Sequence, residues 1–130
     1  MPNPPGPLSI SFRSMTLADV ERVHEIDTLS FSMPWSERSY RFELTENRHS
    51  IVLVADASSP DGISLVVGMI VIWVILDEAH IATIAIHPDF RGYGTGRRLL
   101  ARGLIAAYER GARLSYLEVR KGNLTAQRIY

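Results

Sequence analysis

The chain has 130 residues, 46% of them apolar, with no Cys and with fourteen basic residues balanced by fourteen acidic ones. Such a length and apolar content fit one globular domain with a core of its own. The missing cysteine excludes a disulfide-stapled scaffold and any Cys-ligated zinc or iron–sulfur centre. The even balance hides an asymmetry: residues 1–90 hold five basic against twelve acidic residues, and residues 91–130 hold nine against two. An anionic ligand is therefore expected at the C-terminal third. Thirteen of the fourteen basic residues are Arg, a bias that codon usage explains as readily as phosphate recognition does.

Residues 1–9 open on Met-Pro-Asn-Pro-Pro-Gly-Pro and read as a disordered Pro-rich tail, because Pro removes donors and fixes φ. Residues 10–130 then form a single domain. Ile10 to Arg13 is a short strand, and Thr16 with Asp19 three residues on caps a helix whose stripe is Leu17, Val20, Val23 and Ile26. Phe31 to Trp35 is an apolar loop broken by Pro34, after which Ser36 caps a second short helix carrying Tyr40, Phe42 and Leu44. Ile51 to Ala55 is a strand, separated by the turn cluster Ser58 to Gly62 from the run Ile63 to Leu76. That run is interrupted by Ser64 and Gly68 and is shorter than the roughly 20 residues of a membrane-spanning helix, so it reads as buried strand. Asp77 and Glu78 turn the chain into a third strand, His80 to Ile86, stopped by Pro88. Leu99, Leu100, Leu104, Ala107 and Tyr108 stripe a helix from Gly96 to Arg110, with Gly111 as its stop. Leu114 to Val119 is a strand, and Asn123 caps a helix containing Ala126, Ile129 and Tyr130. No signal peptide or spanning segment is visible, and with no cysteine the expected location is cytoplasmic.

The strongest local signal is Arg91-Gly92-Tyr93-Gly94-Thr95-Gly96-Arg97-Arg98, between a strand and the mouth of a helix. Alternating Gly lets successive N–H groups turn toward one point, and the helix N-terminus adds partial positive charge, which together make a phosphate cradle. A dinucleotide fingerprint needs Gly where Arg97 stands, and a P-loop needs Gly-Lys-Ser/Thr, which is absent.

The spacing instead resembles the Arg/Gln-x-x-Gly-x-Gly/Ala loop of the GNAT N-acetyltransferase superfamily, with Arg91, Gly94 and Gly96 on the pattern. The resemblance runs from Ile10 to Tyr130. Ile84-Ala85-Ile86-His87-Pro88 looks like that family's fourth strand and its exit. Leu117-Glu118-Val119-Arg120, Asn123 and Tyr130, with Phe31-Ser32-Met33-Pro34-Trp35-Ser36 and Leu76-Asp77-Glu78-Ala79, are similar to its RimI-like ribosomal-protein-alanine N-acetyltransferase branch. The resemblance implies an α/β fold, a mixed central sheet splayed between its fourth and fifth strands, and helices on both faces. Family members continue past the tyrosine with the rest of the helix and two strands, so the C-terminal strands are expected to be missing and the domain truncated.

The resemblance also implies a reaction: acetyl transfer from acetyl-CoA, as cosubstrate and without a metal, to a protein N-terminal α-amine, with a ribosomal protein as an acceptor. The pyrophosphate is expected on the N–H groups of Gly92, Tyr93, Gly94, Thr95, Gly96 and Arg97, beside Arg91. The pantetheine arm is expected along the backbone of Ile84, Ala85 and Ile86, with Asn123 in reach. Glu118 is the expected general base, its carboxylate raised by an apolar strand, although a salt bridge to Arg120 explains the same residue. Tyr130 is the expected acid for the leaving thiolate. Phe31, Pro34 and Trp35 are expected to wall the acceptor site, with core packing as the alternative. His80 and His87, seven apart with no carboxylate between, give no metal pair and read as structural. Neither nucleic acid nor membrane is an expected partner, and the oligomeric state is left open. Two other readings remain at this point: acetylation of a lysine or small-molecule amine, and a non-catalytic acetyl-CoA-binding module.

Overall fold

In the computed structural model, which describes residues 9–117, strands β1 (Ser9–Ser14), β2 (Ser50–Ser58), β3 (Ser64–Ile75), β4 (Glu78–Ile86) and β5 (Leu114–Leu117) form one sheet in sequence order. The first four pair antiparallel, whereas β5 runs parallel to β4. A parallel return needs a crossover, and α3 (Thr95–Glu109) supplies it. Helices α1 (Val20–Ser30) and α2 (Glu37–Thr45) occupy the opposite face. The result is the expected mixed α/β sheet covered on both sides.

The long apolar run is the central strand. Its residues divide between two cores: Val67, Ile70, Ile72 and Val74 pack toward Leu99 and Ala107 of α3, and Val66, Met69 and Val71 pack toward Val20, Val23, Ile26 and Tyr40. A strand covered on both faces has no polar side to alternate with, so β3 reads as continuous hydrophobicity. Gly68 marks the tightest point of this packing. A Cβ there would meet the Ile86 Cδ1 at 2.5 Å and the Ala85 carbonyl oxygen at 3.2 Å. Gly68→Ala is therefore expected to destabilise the chain by about 1–3 kcal/mol through overpacking; a denaturant midpoint equal to wild type would show that β3 and β4 yield there.

Three stripe residues differ from expectation. Leu17 is 56% exposed, because it lies in a 3-10 turn, Leu17–Asp19, whose period is tighter than that of the α-helix that follows. Phe42 is 54% and Tyr108 62% exposed. Tyr108 instead lies under the Arg113 guanidinium, 4.3 Å from its ring centre. The α3 stripe runs through Thr95, Leu99, Gly103 and Ala107, and a Cβ at Gly103 would stand 2.7 Å from the Ile72 Cδ1. Close backbone approach explains the glycine. The expected capping pair is present at the 3-10 turn that leads into α1: Asp19 accepts from the Thr16 N–H at 2.8 Å and from Arg13 at 2.7 Å. Arg13 foremost holds the Asp19 carboxyl below its usual range. No helix among the described residues is long and apolar enough to cross a membrane.

Candidate active site

Strand β4 delivers the chain to the glycine loop through His87 and a 3-10 turn, Pro88–Phe90. Gly92 (φ 89°) and Gly94 (φ 80°) both lie in the left-handed region, which is why glycine stands at each. A Cβ at either would meet nothing within 4 Å, so the loop presents bare backbone to open space. Gly94 is the N-cap of α3, and the first intrahelical bond runs from the Arg98 N–H to the Gly94 carbonyl at 3.2 Å. The N–H groups of Thr95, Gly96 and Arg97 precede it and have no partner within the helix. Thr95 and Gly96 are buried while residues 92–94 are exposed. This arrangement fits a pyrophosphate: an open backbone fan ending on the positive end of a fifteen-residue helix.

The flanking arginines do different work from one another. Arg91 donates from Nε to the Ile86 carbonyl at 2.8 Å and from a terminal nitrogen to the Ser30 hydroxyl at 3.1 Å. It thus ties the end of β4 to the end of α1 beneath the loop. The Arg98 and Arg102 guanidinium groups stand 5.1 and 5.5 Å from the Phe12 ring centre. Arg97 is exposed beside the helix mouth.

Ile84, Ala85 and Ile86 have side chains no more than 2% exposed, so any contribution to a ligand comes from their backbone, as the sequence reading holds. Residues 78–81 of β4 pair with β5. His87 lies at the hinge between strand and loop, and its Nδ1 accepts the Asp89 N–H at 3.1 Å. Its pKa is held below the ordinary imidazole value of 6.5, first by burial and then by the Arg22 charge. Above pH 6.5 the ring is neutral in both states and its contribution to stability is complete. As pH falls from 6.5 toward the lower folded value, the unfolded chain takes the proton first and that contribution is lost. Denaturant midpoints are expected to fall across this window in the wild type and to fall less in His87→Gln.

The loop between the first two helices is held by buried carboxylates that pattern reading missed. Asp27, fully buried, accepts the Tyr40 hydroxyl at 2.5 Å and the Trp35 N–H at 3.2 Å. Glu43, 6% exposed, accepts the Trp73 indole N–H at 2.6 Å and the Asn47 amide at 2.6 Å. A signal existed, since Asp27 follows Val20 by seven residues and Val23 by four, and so occupies the apolar stripe of α1. Trp35 lies 5.5 Å from Tyr40 and stacks on Trp73 at 6.3 Å between ring centres. With Phe42, Glu43, Asn47 and Trp73 it lines an open groove of about 540 Å³.

Phe31 requires a correction: it is 6% exposed and packs in the core under α1, supporting the loop and offering little surface. Pro34 is exposed and Trp35 half-buried. Glu118, Asn123 and Tyr130 lie outside the described residues. Among the described residues no group of three or more His, Asp or Glu is placed to hold a metal ion.

The acetyltransferase (GNAT) family model matches residues 20–130. The chain belongs to the GNAT acetyltransferase family. A Bacillus subtilis relative, named provisionally as a [ribosomal protein bS18]-alanine N-acetyltransferase, is 38% identical over 118 residues, covering 91% of this chain and 75% of the relative. The [ribosomal protein bS18]-alanine N-acetyltransferase of Salmonella typhimurium is 31% identical over 122 residues, covering 94% and 76%. Among solved structures, the ribosomal-protein-S18-alanine N-acetyltransferase of Escherichia coli superposes with a TM-score of 0.74 at 24% identity, covering 94% of this chain and 74% of that one. The PaiA N-acetyltransferase of Thermoplasma acidophilum, in complex with coenzyme A, superposes with a TM-score of 0.78 at 18% identity, covering 94% and 86%. The GNAT fold is thus the fold of this chain, with α3 and its glycine loop in place.

Proposed function

We propose that the chain transfers acetyl from acetyl-CoA to the α-amine of a protein N-terminus, with a ribosomal protein as acceptor in the cytoplasm. The observation that carries this reading is the acceptor shared by relatives at 38% and 31% identity over nine-tenths of the chain, both named as ribosomal protein bS18-alanine N-acetyltransferases. The open glycine loop at the α3 N-terminus supports the cofactor half.

Acetyl-CoA supplies an acetyl group already activated as a thioester. The backbone of residues 92–97 binds the pyrophosphate, and the β4 backbone at residues 84–86 orients the pantetheine arm and donates to the developing oxyanion. Asn123 adds a polar contact to that arm. Glu118 takes the proton that the amine loses as its nitrogen bonds the acetyl carbon, and Tyr130 donates a proton to the sulfur as the C–S bond breaks. An α-amine with a pKa near roughly 8 needs only a weak base, whereas lysine at about 10.4 needs a stronger one. Trp35 and Pro34 border the acceptor's approach.

Three acceptors compared at pH 7 test the reading: a peptide with a free N-terminal Ala and no Lys, the same peptide N-blocked with one internal Lys, and a small polyamine. Coenzyme A release is expected to be fastest with the first. Preference for either of the others overturns the α-amine assignment.

A further inference from the structure

An apolar groove of about 520 Å³ lies at the turn joining β2 to β3, lined by Ala57, Ser59, Pro60, Ile63, Leu65 and Phe90. Two of its aliphatic walls are open to solvent, Ile63 at 67% and Leu65 at 44%. Its charged lining residue, Asp61, is tied into the turn by the Ser59 hydroxyl and the Ile63 N–H. The groove lies on the α3 face of the sheet, because Ala57 and Phe90 belong to the core packed there. The strand ladder leads into it. Ile10 pairs with Ala57 and Ala57 with Leu65, and in the next row Ser9 pairs with Ser58 and Ser58 with Ser64. Beyond them the Ser59 N–H donates to the Ile63 carbonyl at 2.8 Å, which closes the turn. Residues 1–8 precede β1 at this corner and lie outside the described residues.

We propose that residues 1–8 are the occupant of this groove, with Leu8 seated against Ile63 and Pro4-Pro5-Gly6-Pro7 laid across Leu65 and Phe90, and that they brace the glycine loop from below. One more residue in the β1 register brings Leu8 opposite Ser59, in a row with Ile63. Side chains alternate along a strand, so Leu8 then shares the face of Ile10, which is the face of the groove. Pro7 has no N–H to donate and ends the ladder, and Gly6 permits a bend toward Phe90. Residues 1–8 carry no charged side chain, which suits an apolar surface. A Pro-rich stretch is pre-extended at about 3.1 Å per residue, loses little entropy on docking and packs well on aromatic surface. Phe90 is the contact with a consequence. Its ring stands edge-on to His87 at 5.8 Å, and its N–H donates to the His87 carbonyl at 2.9 Å, in the turn that leads to Arg91 and Gly92. A segment seated on Phe90 holds the turn from which the glycine loop departs. The brace, though not the docking, rests on the cofactor half of the function above.

Backbone ¹⁵N relaxation of the full chain reads the docking directly. Order parameters at Gly6 and Leu8 are expected to be about 0.8, near those of a rigid strand, whereas a segment off the groove gives values below about 0.6. Leu8→Asp and, from the groove side, Ile63→Asp are each expected to drop both residues below about 0.6. Both variants are also expected to shift the Phe90 amide resonance, to leave that of Leu76 at the far end of β3 in place, and to weaken acetyl-CoA binding by about threefold or more. Wild-type values below about 0.6 at Gly6 and Leu8 overturn the proposal without recourse to any variant. Order that is lost on dilution by about tenfold gives the groove to a second copy of the chain and overturns it as well. Release of the segment with acetyl-CoA affinity unchanged overturns the brace. A wild type that keeps Gly6 and Leu8 ordered yet binds no acetyl-CoA would leave the docking as assigned and overturn the cofactor reading instead.

Discussion

Glu118→Gln is expected to lower the acetylation rate at pH 7 by about 10² or more while leaving acetyl-CoA affinity in place. The amide keeps the size of the carboxylate and loses its basicity, so the variant isolates proton removal from cofactor binding. A protonated amine has no lone pair with which to attack, and at pH 7 most of an α-amine with a pKa near roughly 8 is protonated. As pH rises through that value the amine deprotonates unaided, and the deficit of the variant is expected to shrink. Coenzyme A release measured from pH 6.5 to 9 reads both effects. An unchanged rate at pH 7 would reduce Glu118 to a partner of Arg120.

Gly94→Val is expected to weaken acetyl-CoA binding by at least about thirtyfold in calorimetry. Gly94 holds φ at 80°, and a β-branched residue is strained there although the space beside it is open. The chain would relieve that strain by rotating the peptide units around position 94, which aim the first N–H groups of α3. A cost of about 2 kcal/mol at this one position corresponds to the thirtyfold loss. Unchanged affinity would show that the pyrophosphate lies elsewhere.

What was legible in the sequence, and what was not, follows from the range of the interactions involved. The glycine loop could be read because its conformation is set locally: positive φ at Gly92 and Gly94 and a helix beginning at Thr95 are written in three alternating glycines. β3 could be read because burial on both faces leaves an unbroken apolar run. Arg91 could not, since its partners are the Ile86 carbonyl and a hydroxyl sixty-one residues away at Ser30. Asp27 and Glu43 were hidden for a similar reason. Periodicity scores a carboxylate as solvent-facing, and only the tertiary fold brings Tyr40, Trp35, Asn47 and Trp73 to satisfy them. For the Phe31-to-Trp35 loop the sequence leaves acceptor wall and core packing both open, and the fold divides them, with Phe31 in the core and Trp35 at the groove. His80 reads as structural from the sequence, but its ring partner could not be read there, because Tyr116 comes from a strand thirty-six residues later. The residues assigned to proton transfer rest on family resemblance, because they follow Leu117.

Hydrogen exchange of the backbone amides, with and without acetyl-CoA, tests the central claim most directly. Residues 92–94 are exposed loop and the N–H groups of residues 95–97 have no partner within the helix, so exchange across the segment is expected to be faster in the free chain than with ligand bound. Bound acetyl-CoA is expected to slow exchange across Gly92 to Arg97, and ADP, which carries the same pyrophosphate, to slow it in the same segment. Slowing confined to other segments, or none in this loop at saturating acetyl-CoA, would contradict the account.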